Sequence, residues 1–421
     1  MLSINKRTIF LYFFLFTGVF NDVLRIPSTE VTLFRALLPF AVIISIYCSK
    51  KVKLLYVFFV ILSLVSYVQS YVFCLINDEG IAFYPVHLVK FLFFYACLTV
   101  VIGSVIVIFE QSPLMFRESF LGFVVLNSLI LLGLFIIRYH AKLGEDTILN
   151  NPNDYGAMLT MVLPFFYYCF SKYHKIIRIL FISTVVVYAV LNDCRAAIFA
   201  MVIQVFVIIW VKSLRTVRGS GWIAIAGLCA ILIAFVVSSL LSSSGFELNG
   251  QNWDDIIVEP IRRVLSGRAS DNGSELNLFR TNATIACIGL VWKTKLLGIG
   301  AGNLGFLLRR VLEDFPANEQ WIYQYDYVSP HNAFFEFLLE WGYVAVIGFG
   351  LIIREIVLAI RKDNKTDIDK CFIVISISSL LWMIGPSGIL VDYFIFIVFT
   401  YLLIIVVNER KVGTRLNEDQ V

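Results

Sequence analysis

Long apolar runs, separated by short polar connections, occupy most of the chain. A transmembrane helix needs about 20 predominantly apolar residues. Twelve runs come near that length: residues 8–24, 31–48, 54–76, 83–109, 119–138, 154–170, 176–192, 195–211, 222–241, 331–353, 371–385 and 388–407. The run 371–385 is short, so a re-entrant segment at Gly385-Pro386-Ser387-Gly388 is its alternative. The pattern predicts an all-α integral membrane protein with about twelve transmembrane helices.

One long polar segment interrupts these runs and divides the chain into three parts. We expect transmembrane helices 1–9 in residues 1–241, a large external loop in residues 242–330, and transmembrane helices 10–12 with a cytoplasmic tail in residues 331–421. Apolar residues within the loop recur at three- and four-residue steps, which is typical of helices. The spacing predicts a polar turn at 266–274, a glycine turn at 298–302, and short helices at 252–266, 275–297 and 303–315.

The composition agrees with a membrane protein and excludes several other classes. Hydrophobic residues make up 59% of the chain and charged residues 15%, with a mean hydropathy of +0.84. These values exclude a disordered chain or a soluble domain. The net charge of +4 is too small to indicate a nucleic-acid partner. The eight cysteines include no CxxC pair, so neither a disulfide framework nor a metal site is expected.

The lysines and arginines predict the orientation of the helices. If the N-terminus is cytoplasmic, 20 of the 34 basic residues fall in cytoplasmic segments, and the long loop faces outward. Cytoplasmic loops carry an excess of Lys and Arg, so this arrangement with both termini inside is the favoured one.

Nine charged residues within or at the ends of the predicted spans lie toward the outer half of the bilayer in this topology. They are Arg35, Lys90, Arg138, Asp154, Asp193, Arg195, Glu336, Glu340 and Asp392. Each one could extend to the interface, but charge inside the hydrocarbon is costly and usually faces an interior cavity. Their shared position predicts a polar cavity that opens outward.

The loop and the span that follows it contain the residues best suited to chemistry. Arg280 is the one charged residue in an otherwise apolar and neutral stretch, and His331 opens a span at the outer surface. Asn332, Glu336 and Glu340 follow at a spacing that places them on one face of a helix. A lone histidine is usually structural, but a neutral imidazole near an anion-binding arginine is what a general base requires.

The glycines at 298, 300 and 302 admit two interpretations. A nucleotide-binding loop would need a preceding strand and a following Lys-Ser/Thr, and the sequence has neither. A tight turn that permits close approach of helices is the favoured interpretation.

The order and spacing of four motifs resemble the bacterial O-antigen ligase and polysaccharide polymerase superfamily. The first two are Asn151-Pro152-Asn153-Asp154 and Asn192-Asp193-Cys194-Arg195-Ala196-Ala197, each opening a span. The third is Arg280 followed by the glycine turn and Asn303. The fourth is His331-Asn332-x-x-x-Glu336-x-x-x-Glu340-x-Gly342. No single motif is specific, but together they extend from residue 151 to residue 342.

The resemblance implies an enzyme of the bacterial inner membrane that takes part in cell-envelope or lipopolysaccharide biosynthesis. Such enzymes move a glycan from undecaprenyl diphosphate to an acceptor hydroxyl at the periplasmic or outer face. Carried over to this sequence, Arg195 and Arg280 bind the diphosphate and His331 lies next to the acceptor hydroxyl. Arg268 is an alternative to Arg280. The other candidate substrate-binding residues are Asn332, Glu336, Asn153 and Arg35.

The chemistry of these side chains agrees with the implied roles. Guanidinium groups bind phosphate oxygens through paired hydrogen bonds and stabilise charge on a departing oxygen. A base within hydrogen-bonding distance assists a sugar hydroxyl, which is a poor nucleophile. No metal or other cofactor is implied. The implied partners are the lipid-linked oligosaccharide and the bilayer, with a chain-length regulator and a flippase as further candidates.

Three functions remain open at this point. The favoured one is a polymerase that joins lipid-linked oligosaccharide repeats. The second is a ligase that transfers finished polysaccharide to lipid A–core or another acceptor. The third is a flippase or transporter of lipid-linked oligosaccharides, which is disfavoured because the nine charged residues noted above lie in the outer half and no internal repeat is visible.

Overall fold

The computed structural model describes residues 5–21, 24, 31–76, 85–141, 152–169, 175–191, 195–210, 247–248, 251–252, 271–313, 332–362, 364–384 and 393–418. The predicted span 222–241 and the aromatic tail of the loop at 321–327 lie outside the described residues. So do most of the predicted helix 252–266 and the turn at 385–388.

The regular secondary structure of the described residues is helical apart from one short strand pair. The helices are α1 (Lys6–Val19), α2 (Leu33–Cys48), α3 (Lys50–Ile76), α4 (Pro85–Gln111), α5 (Pro113–Ala141), α6 (Pro152–Pro164), α7 (Lys175–Leu191), α8 (Arg195–Trp210), α9 (Asp271–Thr294), α10 (Leu304–Glu313), α11 (Ala333–Trp341), α12 (Tyr343–Arg361), α13 (Asp367–Ile384) and α14 (Tyr393–Glu418). A π-helical turn, Phe165–Cys169, continues α6. Strands β1 (Glu247–Leu248) and β2 (Gln251–Asn252) pair antiparallel.

Four of these helices are long and apolar enough to cross a membrane, within the part of the chain that the structure describes. They contain Lys50–Phe73, Leu88–Gln111, Met115–Leu134 and Tyr343–Arg361. Shorter apolar helices occupy Leu33–Cys48, Met158–Cys169, Ile176–Val187, Ala200–Ile209 and Tyr393–Glu409. The all-helical membrane class is confirmed, whereas the full set of twelve spans and the external loop stay predictions.

The chain folds into two compact units. The first contains Met1–Phe123, Glu275–Arg354 and Met383–Tyr401, and the second contains Val124–Ser274, Glu355–Trp382 and Leu402–Val421. Because each unit combines separate segments, residues that are far apart in sequence pack within the same unit.

Aromatic packing accounts for part of the phenylalanine content in the first unit. Phe120 stacks on Tyr401 with ring centroids 4.1 Å apart, and Phe14 stacks on Phe34 at 4.9 Å. All four rings are fully buried. Aromatic pairs contribute about 0.5–1.5 kcal/mol beyond the area that they bury, so these contacts help to hold the helices together.

In the second unit, helices α6 and α8 pack side by side, and the Gln204 amide N–H donates to the carbonyl oxygen of Thr160 at 2.9 Å.

Helix α13, also in the second unit, begins with a reciprocal cap. The Thr366 backbone N–H donates to the Asp369 carboxylate at 2.7 Å, and the Asp369 N–H donates to the Thr366 hydroxyl at 3.2 Å. This pairing satisfies two backbone donors that a helix start leaves without partners.

The predicted single span at 331–353 is wrong, because the chain forms two helices there. Helix α11 ends at Trp341 and α12 begins at Tyr343, with Gly342 between them at φ +55°. A left-handed residue interrupts the helix even though the hydropathy continues through it.

Helix boundaries in the predicted loop also differ from the prediction. Helix α9 begins at Asp271, inside the predicted polar turn, and ends at Thr294 because Lys295 and Leu296 have positive φ. The predicted helix at 252–266 does not include Asn252, which pairs with Glu247. The predicted helix at 303–315 is present as α10.

Candidate functional site

Helix α9 carries Arg280 and packs with α10 and α11 around one buried apolar cluster. The cluster consists of Ala283, Ala286, Cys287, Leu290, Ile299, Leu304, Leu307, Leu308, Leu312 and Leu339, with Phe73, Val291, Val311 and Phe335 against it. The members from α9 recur at three- and four-residue intervals and therefore form one stripe. Arg280 lies in α9, three residues before Ala283.

Asn332 starts α11 and fixes where the backbone turns into the helix. Its side chain accepts a hydrogen bond from the Phe335 N–H at 3.2 Å, and the residue is 3% exposed. An asparagine cap satisfies one of the backbone donors at a helix start. His331 directly precedes this cap in sequence and, like Arg268, lies outside the described residues.

Two glutamates lie on successive turns of α11. Glu336 is buried and lies near Cys287 of α9. The pKa of the Cys287 thiol is raised to about 12, mainly because the thiol is buried and in addition because the Glu336 carboxylate is close to it. Glu340 is fully buried, and each of its carboxylate oxygens accepts a hydrogen bond. These contacts show that α9 and α11 approach each other closely.

The glycine turn at 298–302 packs against the last turn of α11. The Ile299 N–H donates to the Leu339 carbonyl oxygen at 2.8 Å, and the Gly300 N–H donates to the Glu340 carbonyl oxygen at 3.1 Å. The Gly302 N–H donates to Glu340 Oε1 at 2.9 Å. All three glycines have φ near +80°, which is why other residues fit poorly there. The prediction of a tight turn that allows close helix approach is confirmed.

Helix α3 contacts the opposite side of the same turn. The Ala301 N–H donates to Ser66 Oγ at 2.8 Å, and Gln69 donates its amide to the Leu297 carbonyl oxygen at 2.9 Å. From α4, the Tyr95 hydroxyl donates to Glu340 Oε2 at 3.1 Å. Tyr95, Ser66 and Gln69 were not predicted as part of the site, because nothing in their local sequence distinguishes them from other polar residues in spans.

Arg195 and Asn153 lie in the second unit, each at the start of a helix. Asn153 is the second residue of α6 and Arg195 is the first residue of α8. Gln204 of α8 donates a hydrogen bond to Thr160 of α6. Asn153 and Arg195 thus belong to two helices that pack on each other.

Arg35 lies in the first turn of α2 and is exposed. The Thr32 hydroxyl accepts from the Arg35 N–H at 3.3 Å and caps that helix.

Among the described residues, no group of His, Cys, Asp and Glu could hold a metal ion.

Several apolar helices are long enough to span a membrane, and the glycine turn forms buried hydrogen bonds with α3 and α11. These features are typical of a polytopic membrane protein. A family model described as O-antigen ligase matches residues 179–350. The match supports the resemblance of this part of the chain to the O-antigen polymerase and ligase superfamily. No curated protein and no solved structure matches the chain.

Proposed function

We propose that the chain is a membrane glycosyltransferase that lengthens a surface polysaccharide. It would transfer a glycan from undecaprenyl diphosphate to the acceptor sugar hydroxyl of another lipid-linked repeat, at the outer face of the bacterial inner membrane. The observation that carries the proposal is the family match at residues 179–350, which contains both candidate arginines, the glycine turn and the Asn332 cap.

The register of helices α9 and α11 supports the pairing of Arg280 with His331. Cys287 of α9 lies near Glu336 of α11, and the C-terminal end of α9 leads into the turn that contacts Leu339. The two helices thus run in the same direction. Arg280 precedes Cys287 by seven residues and His331 precedes Glu336 by five. We therefore expect Arg280 and His331 to lie at similar positions along the helix axes.

The proposed roles follow from the charge of the leaving group. A lipid diphosphate gains negative charge as the glycosidic bond breaks, and Arg280 and Arg195 would bind its oxygens in pairs of hydrogen bonds. His331 would take the proton of the acceptor hydroxyl as that oxygen forms the new bond. Asn332, Glu336, Asn153, Arg35 and Arg268 are proposed as substrate contacts or as support for them.

Substitution of the proposed catalytic residues tests the reaction directly. We expect His331→Ala and Arg280→Ala to abolish polymer while the protein still inserts in the membrane. Arg195→Lys should lower activity by about 100-fold or more, since an ammonium cannot copy the paired hydrogen bonds of a guanidinium. The readout is the polysaccharide ladder on a gel, and immunoblotting of membranes serves as the control. Ladders of normal length in any of these variants would remove that residue from the site.

Ligation of finished polysaccharide to lipid A–core or another acceptor is the second candidate, because the matching family is described as O-antigen ligase and the match does not distinguish the two reactions. The two reactions leave different products in a deletion strain. Loss of a polymerase leaves lipid A–core capped with single repeats, whereas loss of a ligase leaves long polymer on the lipid carrier. Mass spectrometry of the lipid-linked fraction separates these outcomes.

A further inference from the structure

We propose that Glu340 is a positioning residue that fixes the spacing between α9, which carries Arg280, and the start of α11, which His331 precedes. The inference rests on the proposed function for its catalytic consequence. The contacts that support it come from described residues of the first unit alone.

The Glu340 carboxylate bridges three separate segments. Oε1 accepts from the Gly302 N–H at 2.9 Å, and Oε2 accepts from the Tyr95 hydroxyl at 3.1 Å. The residue is fully buried. A buried carboxylate is stable only when its oxygens are hydrogen-bonded, so the glycine turn and α4 are both tied to one point on α11.

The backbone of the glycine turn is tied to α11 as well. Leu339 and Glu340 provide carbonyl oxygens for two successive N–H groups of the turn, from Ile299 and Gly300. On the other side, Ser66 of α3 accepts from Ala301. The turn therefore has little freedom to shift along either helix.

Displacement of this turn would move α9 relative to α11. Helix α9 ends at Thr294, and only a few residues separate it from the turn. Loss of the carboxylate would leave the Gly302 N–H and the Tyr95 hydroxyl buried without their partner. The turn would shift to satisfy them, and a shift of about 1 Å at reacting groups can cost about 100-fold in rate.

The alternative role for Glu340 is a proton carrier, and Glu340→Gln separates the two roles. The Gln oxygen can accept from Gly302 while its amide donates to the Tyr95 oxygen, so the bridge persists without an ionisable proton. We expect Glu340→Gln to retain most of the activity. Glu340→Ala should lower kcat by about 100-fold while KM for the lipid-linked donor changes little. Tyr95→Phe, which removes one hydrogen bond, should lie between them.

A distance measurement tests the positioning separately from catalysis. The pair Arg280→Cys with His331→Cys should form a disulfide rapidly in isolated membranes treated with a mild oxidant. Leu278→Cys with His331→Cys is the matched control, because residue 278 lies on the other side of α9. Glu340→Ala should reduce cross-linking of the 280–331 pair to the level of the control, and Glu340→Gln should preserve it.

Several results would overturn the proposal. The proposal fails if the 280–331 pair cross-links no faster than the control with Glu340 present. It also fails if Glu340→Ala cross-links normally, or if Glu340→Gln is as impaired as Glu340→Ala. If Glu340→Ala does not accumulate, Glu340→Gln and Tyr95→Phe carry the test. Activity in Arg280→Ala or His331→Ala would refute the proposed function instead, while the cross-linking would still report on Glu340.

Discussion

Gly300 has no room for a side chain. Its φ is +80°, and an added Cβ would lie 2.7 Å from the Ser66 carbonyl oxygen and from the Ser70 N–H nitrogen, besides overlapping Ser70 Oγ. Two of these neighbours are backbone atoms of α3 and cannot rotate away. The glycine therefore allows the turn at 298–302 to contact α3 directly.

We expect Gly300→Ala to destabilise the protein by at least about 2 kcal/mol, from the strained φ and the overpacking together. Denaturant unfolding of the purified protein in detergent measures the change. Gly289→Ala is the matched control, because a Cβ there meets nothing within 4 Å and α9 should gain about 0.5–1 kcal/mol. Equal stability of Gly300→Ala and the parent chain would contradict the close contact.

At single positions, the sequence indicated the structural role of a residue but not which residue it contacts. The glycines at 298–302 predicted a tight turn, since only glycine adopts positive φ without strain. Their contact with Ser66 joins residues 235 positions apart, and no local pattern encodes such a pairing. Glu340 stood out as a charge in an apolar segment, whereas its partner Tyr95 did not.

Helix α9 presents one apolar stripe to a buried cluster, and Cys287 reports on that packing. The thiol is fully buried, and burial raises its pKa from 9.0 to about 12. Since the thiolate is the reactive form, a thiol that is both buried and protonated reacts slowly.

We expect Cys287 to resist maleimide at pH 8 in the folded protein and to react when α9 separates from the cluster. The pKa in the folded state lies above that of the unfolded chain, so this thiol contributes stability below pH 9. That contribution is lost as the pH rises from 9 toward 12. Peptide mass spectrometry gives the labelling rate, with the half-buried Cys48 as the internal control. Labelling of Cys287 as fast as Cys48 at pH 8 would contradict the packing.

The sequence predicted where most elements lie but not where α11 ends. Apolar periodicity identified α9 and α10, because a helix that packs on one side repeats its apolar residues every three or four positions. Hydropathy continued across Gly342, and the break depends on φ +55° at that glycine. A Cβ at this position would overlap backbone atoms of Leu296, Leu297 and Gly298, and this close contact comes from a part of the chain more distant than the local hydropathy pattern.

For the whole chain, the sequence predicted the class of protein and the family better than the arrangement of the site. Composition and apolar runs were sufficient to predict an all-helical membrane protein, because an apolar segment in hydrocarbon satisfies its backbone hydrogen bonds internally when it is a helix. The assembly of the first unit from three separate segments brings Tyr95, Gly302 and Glu340 together. That assembly depends on contacts between segments, which periodicity within one segment does not contain.

The orientation of the helices decides whether the proposed site can reach its substrate. The basic residues of the short connections, including Lys50, Lys51, Arg361 and Lys362, predict a cytoplasmic location for those connections. We expect alkaline phosphatase fused after Gly250 to be active, and fluorescent protein fused after Arg361 or after Val421 to fluoresce. Alkaline phosphatase after Arg361 serves as the matched inactive control.

The reverse result would contradict more than the orientation. A glycan acceptor at the outer face cannot meet His331 or Arg280 from the cytoplasmic side of the bilayer. Active alkaline phosphatase after Arg361, together with inactive enzyme after Gly250, would therefore exclude transfer at the outer face. The contacts of Glu340 with Gly302 and Tyr95 lie within one unit and do not depend on orientation. In that case the cross-linking experiment would still measure how α9 and α11 are held together, but the substrate would have to be one that is present on the cytoplasmic face.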